Sequence, residues 1–371
     1  MNQSSTDVII VGAGPIGLET AADILAAGLD CVILEAGSVG QTIADWPSDT
    51  PFFSSPERCA IAGVPIQSLH QSMLRGEEYL SYLRQVVEIR NLPVLTYTPV
   101  RTIERASDGF VLTAGPEGLV REYRSRYVVL ATGNMSRPRR LGVPGENLPH
   151  VAHRFTDVHR YFRRRLLVVG GRNSAVEAAI RCWRAGAEVT VSYRGPRFEK
   201  KKLNSRYHLE ISILTDKGKI GFLPETEIKE IRRDRVILSS PGGQQEYPCD
   251  DVLIQAGYES DLSLMEMAGV TLEGAERIPR MNPETMETDV PGLFLAGTAS
   301  GGGKISYKIF VATSHHHGPA ITKRLTGRDA AYSGSIPARA YPFDNADITP
   351  TEGDGDEPSS PAEPLPKSIS G

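Results

Sequence analysis

Cysteine is scarce in this chain of 371 residues: there are four, Cys31, Cys59, Cys182 and Cys249. No two are spaced as C-x-x-C, so neither a vicinal redox dithiol nor a zinc knuckle can be built from sequence neighbours. Reduced thiols in a cytoplasmic protein fit this usage best. Charge of one sign is missing too. With 41 Lys and Arg against 45 Asp and Glu the formal charge is -4, which gives no electrostatic drive toward nucleic acid or an anionic membrane. Nor is there a long apolar run. The first, Val8 to Val11, falls far short of the ~20 residues of a membrane span, and Met1 to Thr6 is polar without a basic stretch, so no targeting segment is expected. Ser333 to Gly371 loses apolar periodicity and fills with Pro, Asp, Glu and Ser; that composition predicts a disordered acidic tail. The remainder, with 40% hydrophobic and 23% charged residues overall, is ordinary globular material, long enough for two cores of roughly 100–200 residues each.

Thr6 to Val11 reads as a short buried strand that runs into Gly12-Ala13-Gly14-Pro15-Ile16-Gly17, a G-x-G-x-x-G in its required setting between strand and helix. Leu18, Ala21, Ala22, Leu25 and Ala26 then form a helical apolar stripe ending at Gly28, and Cys31 to Leu34 is a second strand. In such a βαβ unit Gly12 permits the tight turn, Gly14 admits a pyrophosphate close to the backbone, and Gly17 lets helix and strand pack. The helix N-terminus holds the negative charge. Glu35 closes the second strand, where a carboxylate accepts from a ribose diol and repels a 2′-phosphate. This site suits FAD or NAD.

A second unit follows. Leu166 to Val169 is a buried strand, Gly170-Gly171-Arg172-Asn173-Ser174-Ala175 matches G-x-G-x-x-A with Arg172 at the middle glycine, and Val176, Ala179, Ile180 and Trp183 mark the helix. Glu188 to Tyr193 is the next strand, and where the first unit has an acid this one has Arg194 and Arg197. Guanidinium groups offer forked donors to phosphate oxygens, so this site suits NADPH over NADH. Two unlike dinucleotides in one chain imply FAD first and NADPH second, with hydride passing from nicotinamide to flavin N5.

With these motifs the chain resembles the two-dinucleotide-binding-domain flavoproteins of the thioredoxin-reductase-like superfamily over roughly residues 5 to 330. It is most similar to the bacillithiol disulfide reductases, through Pro51-Phe52-Phe53-Ser54-Ser55, Gly63-Val64-Pro65, the Gly170 to Ala175 motif, Tyr193-Arg194-Gly195, and Ile309-Phe310 ahead of His317-Gly318. The resemblance implies an α/β fold of two Rossmann-like, three-layer domains, the NADPH domain (137–255) inserted in a discontinuous FAD domain (1–136 and 256–332), followed by the tail (333–371). It implies that the A-T-G segment Ala131-Thr132-Gly133 and the strand ending at Gly297-Thr298 line the flavin site. Ala36, Gln41, Thr42, Phe52, Val100, Lys308 and Ile309 join them, beside Gly12, Gly14, Pro15, Gly17 and Glu35. The activity implied is transfer from NADPH through FAD to a low-molecular-weight disulfide or similar acceptor, with a homo-oligomer left open.

Two departures from the family bear on the acceptor. The stretch His153 to Arg165 has no cysteine where thioredoxin reductases carry C-x-x-C, and Ile16 stands where the bacillithiol group commonly has a cysteine. Cys59 is then the one candidate for a substitute thiol, against the ordinary reading of a buried filler. Phe52 or Phe53 either covers the flavin or belongs to the core. A helix from about Ile305 to Leu325 is expected to aim its positive end, with Lys304 and Lys308, at the flavin. No metal is expected at His315-His316-His317, because neighbours on a helix diverge by about 100°. Two alternatives stay open: a flavin-dependent monooxygenase, suggested by His153, Phe155 and His159, and an NADPH reductase serving a ferredoxin- or flavodoxin-type carrier.

Overall fold

The computed structural model describes residues 4–303 and 309–332. The expected acidic tail lies outside them, as do Lys304 and Lys308. Two sheets organise the chain, the first parallel except at one antiparallel edge and the second parallel throughout. The first contains β1 (Ser4–Val11), β2 (Cys31–Leu34), β3 (Val94–Leu95), β4 (Val100–Ala106), β5 (Gly109–Ala114) and β6 (Arg121–Leu130), in the order β3-β2-β1-β6-β5-β4. The helices α1 (Pro15–Ala26), α2 (Gln41–Ala44), α3 (Pro56–Cys59) and α4 (Gly76–Arg90) connect its early strands. β1 is central, parallel to both β2 and β6. It is apolar on both faces because both faces are covered: Val8 and Ile10 enter one core with α1 and α4, while Ile9 and Val11 enter another with β5. That alternation makes three layers.

Beyond β6 the chain leaves this sheet. The short strand β7 (Arg137–Pro138) precedes a second parallel sheet built from β8 (Val151–Ala152), β9 (Arg165–Val169), β10 (Glu188–Tyr193), β11 (Gly221–Pro224) and β15 (Asp251–Ile254), ordered β11-β10-β9-β15-β8. The helices α5 (Asn173–Arg184) and α6 (Ser205–Asp216) link β9 to β10 and β10 to β11, and an antiparallel sheet of β12 (Glu227–Ile231), β13 (Arg235–Ser240) and β14 (Gly243–Pro248) is inserted before β15. Leu166 and Val168 of β9 enter the core shared with α5, whereas Leu167 enters the one shared with β13. The period-two burial of a central strand recurs.

β16 (Tyr258–Glu259) then pairs antiparallel with β7, and an Arg137–Glu259 ion pair joins the two crossing segments. After α7 (Ser263–Met267) and the hairpin of β17 (Leu272–Glu273) with β18 (Ile278–Pro279), strand β19 (Leu293–Leu295) returns to the first sheet, parallel to β6. The last helix, α8 (His317–Thr326), packs on α1. Here the expected helix over about 305–325 is corrected within its described part, residues 309–325. A 3-10 turn at Val311–Thr313 stands apart from α8. The Thr313 hydroxyl holds the amide of Phe310, and Ser314, fully buried, accepts the His317 amide through its carbonyl.

Candidate functional site

The first cradle forms where β1 meets α1. Gly12 has φ +111°, and a Cβ there would lie 2.5 Å from the Ala131 carbonyl oxygen; at Gly17 it would lie 2.2 Å from the Gly12 carbonyl oxygen. These two glycines permit β1, α1 and the end of β6 to approach. Gly14 is different. It is the N-cap of α1 with ordinary extended angles, φ -75° and ψ 174°, and nothing lies within 4 Å of the position its Cβ would take. Neither strain nor packing requires glycine there, so the open space in front of the helix N-terminus is the feature that glycine preserves.

Glu35 is buried to 8% exposure at the end of β2, with Oε2 accepting from the Ala13 amide at 2.6 Å and Oε1 from the Gly37 amide at 2.8 Å. A carboxylate has about four acceptor sites, so two remain for a ribose diol. The Thr98 amide bonds the Glu35 carbonyl and the Tyr97 amide that of Gly37, which brings Val100 and exposed Ala36 to the same end. Gln41 is engaged locally: Oε1 accepts from Ser38 and Nε2 donates to Asp45, while Thr42 is exposed. At the other end, half-buried Ala131, Thr132 and Gly133 face Thr298, whose hydroxyl lies 3.8 Å from the Cβ position of Gly133. The set fits an extended adenine dinucleotide: a carboxylate for ribose, an open helix N-terminus for pyrophosphate, and a hydroxyl beyond.

Sequence reasoning missed the group that fixes this last end. His317 Nδ1 accepts from the Gly297 amide at 2.9 Å, so the ring is neutral with its proton on Nε2. Burial, followed by the neighbouring histidines, pulls its pKa down to about 3. His315 turns instead to Glu19 and the Arg58 carbonyl. The His316 ring meets that of His317 edge-on at 4.3 Å, and no metal-ligating cluster occurs among the described residues. Ile309 lies beside Gly301, its Cδ1 3.2 Å from that glycine's Cβ position.

Of the two readings of Phe52, core packing is what the structure shows: its ring lies 5.0 Å from that of Trp46 and 4.7 Å from that of Tyr79. Phe53 projects instead, and meets Tyr207 of α6 edge-on at 5.8 Å.

The second cradle repeats the first with changes. Gly170 has φ +137° and its Cβ would strike the Gln255 carbonyl oxygen at 2.4 Å and the Ala175 Cβ at 3.0 Å. Gly171 lies under the Tyr193 ring, within 2.4 Å of its would-be Cβ, and that ring stacks on Phe198. Arg172 is the extended N-cap of α5, Ser174 is exposed beside it, and Asn173 Oδ1 accepts from the Asn204 amide. Arg172, Arg194 and Arg197 are exposed, and among the described residues none of their side chains has a hydrogen-bond or ion-pair partner. Arg172 thus stands free at the N-terminus of α5, and Arg194 follows the Tyr193 ring that covers Gly171; unengaged guanidinium groups of this kind suit an anion. Arg197 also borders a cavity of about 620 Å³ with Phe198, Lys200, His208 and Phe222, where a planar base has an aromatic floor.

All four cysteines are free and buried, and burial raises each thiol to about 12. Cys59, at 1% exposure, packs with Tyr79 and Tyr82 in the first core. Its position gives no support to a redox role. Ile16 is buried against Gly297, with its Cβ 3.2 Å from that glycine's Cβ position.

Comparison with known proteins places this geometry. The family model described as pyridine nucleotide-disulphide oxidoreductase matches residues 9–297. Bacilliredoxin reductase Bdr of Bacillus subtilis is 33% identical over 325 residues, covering 86% of this chain and 98% of the relative. The solved structure of bacillithiol disulfide reductase Bdr (YpdA) from Bacillus cereus is 30% identical with a TM-score of 0.84, covering 88% of this chain and 100% of that one. A ferredoxin–NADP reductase of Ignicoccus hospitalis is 25% identical over 295 residues, 78% of this chain and 89% of the relative.

Proposed function

The chain belongs to the pyridine nucleotide-disulphide oxidoreductase family, as an FAD- and NADPH-dependent enzyme, and from that premise we propose that it reduces a low-molecular-weight disulfide with no thiol of its own in the relay. The net reaction is NADPH + H⁺ + RSSR → NADP⁺ + 2 RSH. FAD, when bound, accepts the nicotinamide hydride at N5 and returns two electrons. The observation that carries the assignment is the pair of unlike cradles: open Gly14 beside the Glu35 carboxylate, and the unengaged Arg172, Arg194 and Arg197 beside α5.

In this reading residues 1–136 and 256–332 hold FAD and residues 137–255 hold NADPH. Glu35 takes the adenosine ribose of FAD, and the first turn of α1 takes its pyrophosphate through amides that lack intrahelical partners. Ala131, Thr132, Gly133, Gly297 and Thr298 line the ribityl chain, with the Thr298 hydroxyl as donor. Arg194 and Arg197 take the 2′-phosphate and Arg172 the NADPH pyrophosphate. His317, neutral, fixes the Gly297 amide. Ile16 keeps the space beside Gly297 apolar. The acceptor therefore meets the flavin itself. A cytoplasmic setting goes with the reduced cysteines; among the described residues no helix is long and apolar enough to cross a membrane.

Anaerobic reduction of the bound flavin by NADPH, followed by reoxidation with bacillithiol disulfide, a ferredoxin-type carrier or oxygen, tests the assignment. Rapid reoxidation by the disulfide is expected. Reoxidation by the carrier alone would move the chain to the ferredoxin–NADP reductases, and oxygen-driven hydroxylation would make it a monooxygenase.

A further inference from the structure

Helix α1 carries a carboxylate deep in its packed face. Glu19 is 2% exposed, and its oxygens lie 2.9 and 3.1 Å from His315 Nδ1. The other ring nitrogen, Nε2, lies 2.8 Å from the Arg58 carbonyl oxygen. A carbonyl can only accept, so His315 Nε2 carries a proton and donates it to the Arg58 carbonyl, while Nδ1 shares a proton with Glu19, whose own pKa burial raises. Burial pulls the His315 pKa down, but the Glu19 hydrogen bond and charge more than offset it and the net direction is upward.

The same contact fixes Arg58. It is 8% exposed, on α3, and α3 packs on the turn Val311–Thr313. Among the described residues its guanidinium makes no hydrogen bond and no ion pair. Its five donors are therefore left to solvent or to a ligand. The part-buried Arg181, 23% exposed at its side chain, by contrast bonds Glu177 at 3.0 Å. Nor is Arg58 sealed, since none of its nitrogens is among the fully enclosed polar atoms without a partner. Its location is telling. The short segment that carries His315 to the Arg58 carbonyl also carries His317 to the Gly297 amide, which ties the Arg58 backbone to the segment that fixes the Gly297 end of the first cradle.

We propose that Arg58 receives an anionic oxygen at the Gly297 end of the first cradle, supplied either by the flavin pyrimidine ring or by a carboxylate of the electron acceptor. The assignment rests on FAD occupying that cradle. The Glu19–His315 pair acts as a positioning device: it holds the Arg58 backbone through His315 Nε2.

The test uses full-length, FAD-loaded protein as wild type, R58Q and R58K, with two readings that do not depend on turnover. The first is the midpoint potential of the bound flavin. If the flavin supplies the oxygen, R58Q lowers the potential by about 30 mV, which is a tenfold loss of preference for the reduced form. The second is sulfate binding, read as a thermal shift in excess of that of R58Q, a comparison that cancels general salt effects and binding at the second cradle. If the acceptor supplies the oxygen, sulfate binds R58Q tenfold more weakly and the potential stays put. R58K, which keeps the charge without the fork, is expected between the two. A folded R58Q that matches wild type in both readings overturns the proposal; should R58Q not fold, identity of R58K and wild type in both does so. Colourless wild-type protein would refute the cradle assignment, and the sulfate reading would still decide the role of Arg58.

Discussion

Two glycines three residues apart in the first cradle are expected to respond oppositely to alanine. At Gly17 the added Cβ would stand 2.2 Å from the Gly12 carbonyl oxygen and 3.2 Å from the Ala131 Cβ. Backbone must move, at a cost of about 3 kcal/mol, which lowers the melting temperature of the flavin-free chain by roughly 6–12 °C. At Gly14 the backbone is already in a conformation alanine prefers, and the added Cβ meets nothing within 4 Å. The flavin-free G14A chain should therefore be as stable as wild type, or more stable by about 0.4–1 kcal/mol through a less flexible unfolded state. Its FAD affinity should collapse, because a methyl group enters the space reserved for the pyrophosphate. Loss of two charge-assisted bonds at about 1.5 kcal/mol each amounts to roughly hundredfold weaker binding. Thermal melts of apoprotein and flavin fluorescence titrations measure the two effects separately. G14A that binds FAD normally would refute the cradle, and G14A that destabilises the apoprotein would refute the claim that this glycine is kept for a ligand.

E35A should lose FAD, since it removes the ribose acceptor and also frees the Ala13 and Gly37 amides; protein that stays fully yellow would refute the role. R194A and R197A should each raise KM for NADPH at least tenfold while leaving KM for NADH within about twofold, which steady-state kinetics with both nucleotides decides. D250N should destabilise the second sheet. The Arg165 side chain and amide hold Asp250 down to about 2 from 3.8, a shift worth roughly 2.4 kcal/mol that screening of this half-exposed pair reduces to about 1 kcal/mol. A lowered carboxylate pKa contributes stability above pH ~4 and loses it as pH falls through about 2, so wild type and D250N should differ at pH 7 and converge near pH 2 in denaturant melts. C59S should leave flavin reduction and disulfide turnover unchanged; selective loss of turnover would restore a thiol role.

Much of this architecture was readable in the sequence because its signals are local. A run of apolar residues, a glycine turn, a helical stripe and a terminal charge lie within thirty residues in each unit, and β1–α1–β2 and β9–α5–β10 follow them. Tertiary contacts decided the rest. The apolar spacing after Ile305 reads as one helix, but α8 begins only at His317, where the turn at Val311–Thr313 and the bond to Gly297 fix the chain. The lid of Tyr193 on Gly171 and the burial of Phe52 depend on neighbours far away in sequence. Arg58 carried no motif at all. Its interest arises only from enclosure without a partner, which no spacing reports.

The thiol chemistry of the chain narrows the path that electrons can take. A thiol at about 12 is ionised on the order of one part in 10⁵ at pH 7, and the thiolate is the form that attacks a disulfide. All four cysteines are of this kind, and each is buried below 8% exposure. Moving one of them to the Gly297 end would mean unpacking a core, as Cys59 illustrates among Tyr79, Tyr82 and Ile61. The sequence position nearest that end belongs to Ile16, which can form no mixed disulfide. In the proposed reaction the acceptor then meets the flavin itself, oriented by polar groups and not by a thiol. His317 is bonded to Gly297 and His315 to Glu19, whereas the guanidinium of Arg58, which we propose serves that end, has no partner among the described residues. On the proposed reading, selectivity for an anionic acceptor and the absence of a thiol relay follow from the same few residues.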